Sequence, residues 1–390
     1  MWSLPNSIRK STFARLSTAI LASSLITSAT LLSILLPGVN SSPLPQPLTD
    51  PRPAPVPQPH TLPGPQAHSP PPTSGEYPDP EPCHGHCTYV LDPSILYDEG
   101  LYWRFSTSKN IQVASAPSLE GPWTYKGSLL PQGTSIKLYD NQDIWAPTVT
   151  KLDGLYYCHY AVSEMFAHNS KIGLATSKSL EPGTWTDHGE INIPFSEHWN
   201  AIDPYVFRES PESPMYFTFG SHWNGIHQFE LQSHAELAAF AGPVDRITNI
   251  ARNTTSNMDV MEGATMFKHA DFYYLFFSAG VCCNTEKDGL APIERVYRVA
   301  VCRAGTATGP FRDAKGRDCL NDNGGTVILA SHGEIYAPGG QDITVHPDSG
   351  RTMISYHYIR TSVGYDNEQK FYGFNYLEWS GDGWPVLVHA

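Results

Sequence analysis

The stretch Asp92-Pro93-Ser94-Ile95-Leu96 decides the fold, because it is the first of five copies of one short pattern. Each of the first four copies is followed by a turn-like segment and then by an aromatic run, as in Leu101-Tyr102-Trp103. The other copies read Trp145-Ala146-Pro147-Thr148-Val149, Asp203-Pro204-Tyr205-Val206-Phe207, Glu262-Gly263-Ala264-Thr265-Met266 and Tyr336-Ala337-Pro338-Gly339-Gly340. A hairpin repeat of about 50 to 75 residues predicts the blades of a propeller.

The segments after each aromatic run complete a four-stranded unit. A third strand with small residues is predicted at Ile172-Gly173-Leu174-Ala175-Thr176, for example, and the turn Gly183-Thr184-Trp185 then returns the chain to the rim. Helical periodicity is confined to residues 234–240. A jelly roll or a sandwich with as many strands would not need this regular return. The sequence therefore predicts an all-β, five-bladed β-propeller.

Three copies of the pattern carry a carboxylate, at Asp92, Asp203 and Glu262. If the same point of each blade faces the central axis, these side chains converge on one pocket, where their mutual repulsion raises at least one pKa. Such a pocket holds one carboxylic acid protonated while another stays ionised, as acid–base catalysis requires. An Asp-Pro pair taken alone is more often a turn opener. Three acids at one repeat phase instead indicate a catalytic pocket.

The sequence around the acids suggests how they divide the work. Glu262 is the better general acid, because its side chain is longer than that of aspartate and it lies between Met261 and Gly263-Ala264, in a less polar setting. One aspartate would activate water, and the other would adjust the pKa and position of the acid. An inverting glycosidase holds its acid and base roughly 6.5–9.5 Å apart to leave room for that water. Neighbouring blades around a narrow axis provide gaps of this size.

Other polar and aromatic residues lie at the same position of the repeat as the acids, or near the acids in the sequence. Trp145 and Tyr336 lead the second and fifth copies, so both are expected to face the cleft, where an aromatic ring can stack on a sugar. Asn200 is a candidate for a hydroxyl contact, and Ser221 and His222 are candidates for the cleft wall. For each of these residues singly, a packing role is an equal alternative.

His357 is an unusual residue for a propeller strand. It is a candidate metal ligand or a neutral partner for a carboxylate, although a lone histidine on a strand is more often a core residue. The other histidines show no metal-ligand spacing, and the sequence contains no phosphate-binding loop and no nucleophile elbow. The net charge of −13 argues against nucleic acid as a partner, because phosphates require a basic surface.

The first 80 residues differ in composition from the rest of the chain. Residues 1–42 begin with a basic segment and continue into the uncharged run 18–36, which predicts a signal peptide or, because the run is long, a signal anchor that tethers the chain to a membrane. Residues 43–80 are rich in proline and predict an extended linker. Residues 81–390 form the predicted propeller, a catalytic domain that is secreted or anchored on the outer side of the membrane.

Seven cysteines in an exported chain predict disulfides with one thiol left over. Candidate pairs are Cys83 with Cys87, Cys302 with Cys319, and the adjacent Cys282 with Cys283. Cys158, inside the predicted aromatic strand, is the expected free and buried thiol. Two glycosylation sequons, at Asn40 and Asn253, are consistent with an exported surface.

Residues from about 81 to 390 resemble the secreted fungal endo-1,5-α-L-arabinanases of glycoside hydrolase family 43. The order and spacing of the matching motifs hold over this whole region. The motifs include Asp143-Ile144-Trp145-Ala146-Pro147, Gly183-Thr184-Trp185-Thr186-Asp187-His188-Gly189, Asn200-Ala201-Ile202-Asp203, Cys282-Cys283 and Pro338-Gly339-Gly340-Gln341. The resemblance implies a five-bladed propeller that inverts the configuration at the anomeric carbon.

The resemblance also implies roles for individual residues. Asp92 takes the role of the base, Asp203 adjusts the pKa of the acid, and Glu262 is the acid. His357 corresponds to the family's histidine at an axial metal ion, often calcium, which is held largely through water. The positions that correspond to those lining the arabinose subsites are Trp145, Asn200 and Ser221.

Two positions depart from the family pattern. Leu91 precedes Asp92 where the family commonly has histidine, so the aspartate is held differently or has a different pKa. His222 lies where phenylalanine is common, so one contact with the sugar is expected to differ. The three acids themselves are kept, and the catalytic mechanism is therefore expected to be that of the family.

The resemblance implies an enzyme that cleaves internal α-1,5 bonds of arabinan, the side chain of pectin. We expect a monomer with no organic cofactor. An exo-acting α-L-arabinofuranosidase or β-xylosidase of the same family would use the same acids. A non-catalytic carbohydrate-binding propeller would keep the fold and Trp145 without needing all three acids.

Overall fold

Five antiparallel sheets of four strands each make up the described part of the chain. The computed structural model describes residues 77–221, 223–255, 260–283, 289–366 and 369–390. Within every sheet the strands are adjacent in chain order, so each sheet is a meander and forms one blade. The predicted all-β, five-bladed propeller is thereby confirmed. The predicted signal or anchor segment 1–42, and the linker as far as residue 76, lie outside the described residues.

The twenty strands are short and lie in five groups of four. Blade 1 holds β1 (Ser94–Asp98), β2 (Leu101–Ser106), β3 (Gln112–Ala116) and β4 (Thr124–Ser128). Blade 2 holds β5 (Asp143–Leu152), β6 (Leu155–Ser163), β7 (Lys171–Ser177) and β8 (Thr186–Glu190). Blade 3 holds β9 (Tyr205–Arg208), β10 (Met215–Ser221), β11 (Gly225–Leu231) and β12 (Thr248–Ala251). Blade 4 holds β13 (Val260–His269), β14 (Phe272–Gly280), β15 (Arg298–Ala304) and β16 (Thr326–Leu329), and blade 5 holds β17 (Ile335–Val345), β18 (Thr352–Arg360), β19 (Phe371–Trp379) and β20 (Pro385–Val388).

The connections contain little regular structure. Short 3-10 helices are present at His234–Leu237, Val244–Arg246 and Ile293–Arg295. The helical stretch predicted over residues 234–240 is therefore only the first of these. No helix within the described ranges is both long and apolar enough to cross a membrane.

Neighbouring blades pack face to face through the aromatic and branched residues of their middle strands. Phe105 and Val113 of blade 1, for example, share one buried cluster with Tyr156 of blade 2. Phe276 of blade 4 is packed in the same way with Ile354 of blade 5. Burial of each such side chain contributes about 1.5–3 kcal/mol to folding. The first strands of adjacent blades contact one another, so they lie nearest the central axis and place their side chains around it.

Hydrogen bonds between the segment before blade 1 and the start of β19 close the ring. The backbone N–H of Val90 donates to the carbonyl of Lys370 at 3.1 Å, and that of Tyr372 donates to Cys87 at 2.9 Å. The buried guanidinium of Arg104 lies 4.5 Å from the ring centroid of Trp123 and 4.7 Å from that of Tyr372. These contacts join the first and last blades and fix Lys370 near the axis.

All three predicted cysteine pairs are present as disulfides, Cys83–Cys87, Cys282–Cys283 and Cys302–Cys319. Cys158 is free and buried, as predicted. Asn253 lies in the connection between β12 and β13, and its glycosylation stays a prediction. The other sequon, at Asn40, lies outside the described residues.

Candidate active site

One residue near the start of each blade adopts a left-handed backbone conformation. These residues, with their φ angles, are Asp92 (46°), Ala146 (42°), Asp203 (51°), Gly263 (62°) and Ala337 (51°). Such angles are uncommon for residues other than glycine, asparagine and aspartate. Their recurrence in all five blades identifies the equivalent positions of the repeat.

The leading residues of the five sequence copies are therefore not all equivalent. Trp145, Glu262 and Tyr336 precede the left-handed residue, whereas Asp92 and Asp203 are that residue. The register of strand pairing shifts directly after Trp145, Glu262 and Tyr336. A bulge of this kind redirects the chain and re-aims a side chain. Glu262 consequently enters the same pocket as Asp92 and Asp203, although it comes from a different position of the repeat.

A cleft of about 940 Å³ brings the three acids together. Asp92, Asp203 and Glu262 all line it and are half-buried. The other sequence-predicted residues that line it are Trp145, Asn200 and His357. Asn200 is buried in the wall, where its side-chain amide donates to the carbonyl of Ala167 at 3.2 Å. The cleft thus holds most of the predicted site.

Tyr336 is placed elsewhere. Its ring is buried in a cluster with Val260 and Ile359 and meets Tyr365 edge-on, with ring centroids 5.4 Å apart. The described residues that line the cleft do not include it, so its expected contact with sugar does not fit this position. Ser221 ends β10 and its side chain is not described, and His222 lies outside the described residues.

Both carboxylate oxygens of Asp92 face polar groups from distant parts of the chain. Thr107 Oγ1 donates to Oδ2 at 2.7 Å and accepts from the backbone N–H of Ala146 at 2.8 Å. The Nδ1 atom of His357 lies 3.3 Å from Oδ1. Burial alone would raise the pKa of Asp92, but the hydrogen bonds from His357 and Thr107 and the nearby charge of Lys370 outweigh it and lower this pKa. Asp92 is therefore ionised at neutral pH.

The pKa values of Glu262 and Asp203 shift in the opposite direction. Burial raises the pKa of Glu262 to about 7, and the charge of Asp92 adds to this rise. The hydrogen bond that the Tyr297 hydroxyl donates to Oε1 at 2.9 Å opposes it. Burial and the charges of Glu262 and Asp92 also raise the pKa of Asp203, although its Oδ2 accepts from the backbone N–H of Gly263 at 2.9 Å. The two carboxyls titrate as a coupled pair that retains a proton at neutral pH.

The wall beside Asp92 requires a glycine at position 340. Gly340 has a φ of 57°, and a Cβ atom there would lie 2.3 Å from Asp92 Oδ1 and 2.7 Å from the His357 ring. Its backbone N–H donates to Ser278 Oγ at 2.9 Å, and that hydroxyl donates to Gln341 Oε1 at 2.7 Å. The backbone of blade 5 can therefore approach Asp92 closely only because this position lacks a side chain.

The surroundings of His357 do not fit a calcium ion. The Nε2 atom lies 3.1 Å from the ammonium group of Lys370. The Nδ1 atom faces Asp92, 3.1 Å from its backbone nitrogen, whose N–H points at the ring, and 3.3 Å from Oδ1. Both ring nitrogens therefore face protein groups, which leaves neither of them open to a metal ion, and calcium prefers oxygen ligands. No three His, Cys, Asp or Glu side chains among the described residues are grouped so as to hold a metal ion.

Comparison with known proteins supports a glycosidase site. Residues 87–385 match the family described as Glycosyl hydrolases family 43. The chain belongs to glycoside hydrolase family 43. Over 315 residues it is 43% identical to the arabinan endo-1,5-α-L-arabinosidase A of Aspergillus niger, an alignment that covers 80% of this chain and 94% of that relative.

Solved structures of arabinanases resemble this family 43 chain over most of its length. An endo-arabinanase from Bacillus licheniformis matches with a TM-score of 0.65 and 26% identity, over 78% of this chain and 99% of the other. An exo-1,5-α-L-arabinanase from a bovine ruminal metagenomic library matches with a TM-score of 0.64 and 25% identity, over 77% and 97%. Because an endo- and an exo-acting enzyme match almost equally, the fold does not determine the mode of action.

Three residues of the site are not part of the sequence-based prediction. Thr107 and Tyr297 hold Asp92 and Glu262, and Lys370 contacts His357. Tyr297 directly precedes β15, in the same blade as Glu262, so its place in the four-stranded unit was a usable signal. Lys370 directly precedes the aromatic strand β19, which is expected to be buried. A lysine is seldom buried, so its position beside this strand was a second signal.

Proposed function

We propose that this family 43 chain is an inverting endo-arabinanase that hydrolyses internal α-1,5-L-arabinofuranosidic bonds of arabinan. The observation that carries the proposal is the opposite direction of two pKa shifts in one cleft, lowered for Asp92 and raised to about 7 for Glu262. One group is ready to accept a proton and the other to donate one, as the base and acid of a glycosidase must be. The name of the Aspergillus niger relative supports arabinan as the substrate.

In the proposed reaction, Asp92 accepts a proton from a water molecule while the water oxygen attacks the anomeric carbon. Glu262 donates its proton to the O5 atom of the leaving arabinose unit as the glycosidic bond breaks. Attack from the face opposite the leaving group inverts the anomeric centre, so an α bond yields a β sugar. Asp203 is the third member. Its carboxyl is coupled to that of Glu262, and its proposed role is to adjust the pKa of the acid.

Exposed aromatic rings along the cleft support a polymeric substrate. Tyr89 is 47% exposed and Phe166 is 63% exposed, and both line the cleft with Trp145 and Trp223. Trp223 is itself stacked on His168, with ring centroids 4.6 Å apart. Aromatic faces at several points of a cleft can hold more than one sugar unit. This arrangement favours cleavage within a chain over removal of a terminal sugar.

The products of the full chain acting on linear arabinan test the proposal. We expect short arabino-oligosaccharides to appear before arabinose, with the new reducing ends in the β configuration. Chromatography of the earliest products and proton NMR of the fresh anomeric signal measure both. Arabinose as the sole early product would instead indicate an exo-acting α-L-arabinofuranosidase, and release from xylosides a β-xylosidase. Binding to arabinan without any release would indicate a non-catalytic carbohydrate-binding propeller.

The pH dependence of catalysis should have its alkaline limit near pH 7, the pKa of about 7 of Glu262. Glu262 must be protonated to act as the acid, so kcat/KM falls as the pH rises through this pKa. The hydrogen bond from Tyr297 favours the ionised form and lowers the pKa, so Tyr297→Phe is expected to move the alkaline limit to higher pH. The acidic limit, set by Asp92, should lie below the ordinary value of 3.8.

Tyr274→Phe is the matched control for this pH profile. Tyr274 is a buried tyrosine of the same blade, and its hydroxyl donates to the carbonyl of Gly383, away from the acids. The Tyr274→Phe variant should leave the alkaline limit unchanged. An equal shift in both variants, or a shift of Tyr297→Phe to lower pH, would contradict the role of Tyr297 at Glu262.

The proposed site of action is outside the cell, with the enzyme working as a monomer. Three disulfides support an oxidising compartment, because such bonds are rare in the cytosol. A signal peptide or a signal anchor in residues 1–42, a membrane tether through residues 18–36, and glycosylation of Asn253 stay predictions. Fractionation of expressing cells separates the two N-terminal alternatives, since only an anchor keeps the enzyme with the membrane.

A further inference from the structure

Lys370 is a buried cation at the active site that the reaction described above does not use. Its side chain lines the cleft, yet the residue is only 1% exposed. The Nζ atom lies 3.1 Å from His357 Nε2. Lysine is almost never fully buried unless its charge is compensated, because removing an ammonium from water is costly. The position of Lys370 therefore requires negative charge nearby.

The catalytic acids supply that charge. The ammonium of Lys370 acts together with other contacts to lower the pKa of Asp92, and it also opposes the rise of the pKa of Glu262. At neutral pH, Asp92 is ionised and the pair of Asp203 and Glu262 retains a proton. A single fixed positive charge beside these groups offsets part of their mutual repulsion. A metal ion would have the same electrostatic effect at this place.

His357 connects the cation to the base. The ring is buried, and its Nε2 atom faces the Lys370 ammonium at 3.1 Å. The Nδ1 atom faces Asp92, 3.1 Å from the backbone nitrogen and 3.3 Å from Oδ1. The backbone carbonyl of Lys370 also accepts from the N–H of Val90, two residues before the base. Lys370 thus contacts both the histidine that borders Asp92 and the chain segment that leads to Asp92.

We propose, on the basis of the proposed arabinanase function, that the Lys370 ammonium is a fixed, buried cation of this active site that positions His357 and Asp92 without a divalent metal ion. Lys370 is a positioning residue, because it acts on the base through His357. Two observations carry the proposal. The ammonium of Lys370 contacts Nε2 of His357, and both ring nitrogens face protein groups. The same contacts leave no ligand at His357 for calcium.

Metal content, thermal stability and activity of the full chain test the metal-free part of the proposal. After dialysis against EDTA, elemental analysis should find calcium far below one ion per chain, and arabinan hydrolysis should be unchanged. Added CaCl2 should shift Tm by less than about 1 °C, since a ligand that does not bind the native state does not stabilise it. Stoichiometric calcium, with activity lost on chelation and restored by CaCl2, would overturn the proposal.

Lys370→Ala tests the role of the ammonium. We expect kcat on arabinan to fall about 100-fold, the effect of removing one preorganised electrostatic partner, with KM little changed. Ethylammonium should restore part of kcat in a saturable way, because it can occupy the vacated space and place a cation at His357. A role confined to packing would give no such rescue, and that result would refute the proposal.

Three further variants complete the experiment. Lys151→Ala removes an exposed lysine that pairs with Asp98 at 2.8 Å, and it should neither lose kcat nor respond to the amine. Glu262→Gln should remain inactive with the amine. If Lys370→Ala does not fold, Lys370→Met keeps most of the volume without the charge and should show the loss of kcat alone. The metal and Tm measurements do not depend on arabinan hydrolysis, so a failure of the proposed function would leave them interpretable.

Discussion

Glu262→Gln is expected to lower kcat/KM on linear arabinan by about 10³- to 10⁴-fold, the contribution of a general acid. Glutamine has nearly the same shape and can accept the hydrogen bond from Tyr297, but it has no proton to give to the leaving O5 atom. An alkoxide leaving group needs that proton, whereas a nitrophenolate does not. The loss on an aryl arabino-oligosaccharide with a nitrophenol leaving group should therefore be much smaller. Steady-state kinetics on both substrates measure the difference.

The control for Glu262→Gln is Asp342→Asn. Asp342 is also a buried acid near the axis, and burial raises its pKa to about 7, as for Glu262. It accepts from the backbone N–H groups of Ile95 and Ile343, at 2.8 and 2.9 Å, and does not line the catalytic cleft. Asparagine keeps one of the two acceptors, so the variant is less stable, but kcat of the folded enzyme should stay close to that of the parent because the side chain lies outside the cleft. Equal losses on the two substrates in Glu262→Gln would contradict its role as the proton donor.

The repeat pattern predicted the fold and the three acids because both depend on local periodicity. Strand, turn and return recur within each copy, and their hydrophobic pattern is visible in one sequence. The position of each acid within the repeat was only partly evident from the sequence. Glu262 lies one residue before the left-handed position that Asp92 and Asp203 occupy, and a bulge compensates for the difference. A bulge inserts one residue without a clear compositional signal, so comparison of the five sequence copies did not reveal it.

Trp145 and Tyr336 share this bulged backbone position but differ in what surrounds them. Both precede a left-handed residue, yet Trp145 lines the cleft and Tyr336 is packed against Tyr365. The repeat fixes the backbone position, but the neighbouring connections decide which side chain has room to face the cleft. Connections differ in length from blade to blade, so a repeat phase predicts an aromatic contact less well than it predicts a carboxylate on the axis.

The residues that hold the acids lie outside the repeated pattern, beside other strands of the same blade or, for Lys370, in the last blade. Thr107 lies 15 positions from Asp92, and Tyr297 lies 35 positions from Glu262. Lys370 reaches the site because the ring closes between the first and last blades, where its carbonyl accepts from Val90. Such contacts depend on the crossing of strands from separate segments. One sequence lists these residues but does not show which of them the pairing of strands brings together.

Asp92→Gly is expected to lower kcat on arabinan by about 10³- to 10⁴-fold, as for loss of a general base. Glycine suits this position, because Asp92 has a φ of 46°, in the left-handed region that glycine adopts without strain. The change also opens a space on the water side of the sugar. Azide can enter that space and attack the anomeric carbon without a base. Product analysis should then detect a β-arabinofuranosyl azide, which forms as the bond to O5 breaks and Glu262 protonates O5.

Asp203→Gly is the matched comparison for this experiment. Asp203 also has a left-handed φ, of 51°, and is also followed by a proline, so the two glycine variants have the same backbone context. The Asp203→Gly variant should lose activity without gaining an azide product, because in the proposed reaction Asp203 adjusts the acid and does not activate water. An azide product from Asp203→Gly and none from Asp92→Gly would exchange the roles of the two aspartates. An α-azide would show that the anomeric carbon is attacked from the side of the leaving group, which inversion excludes.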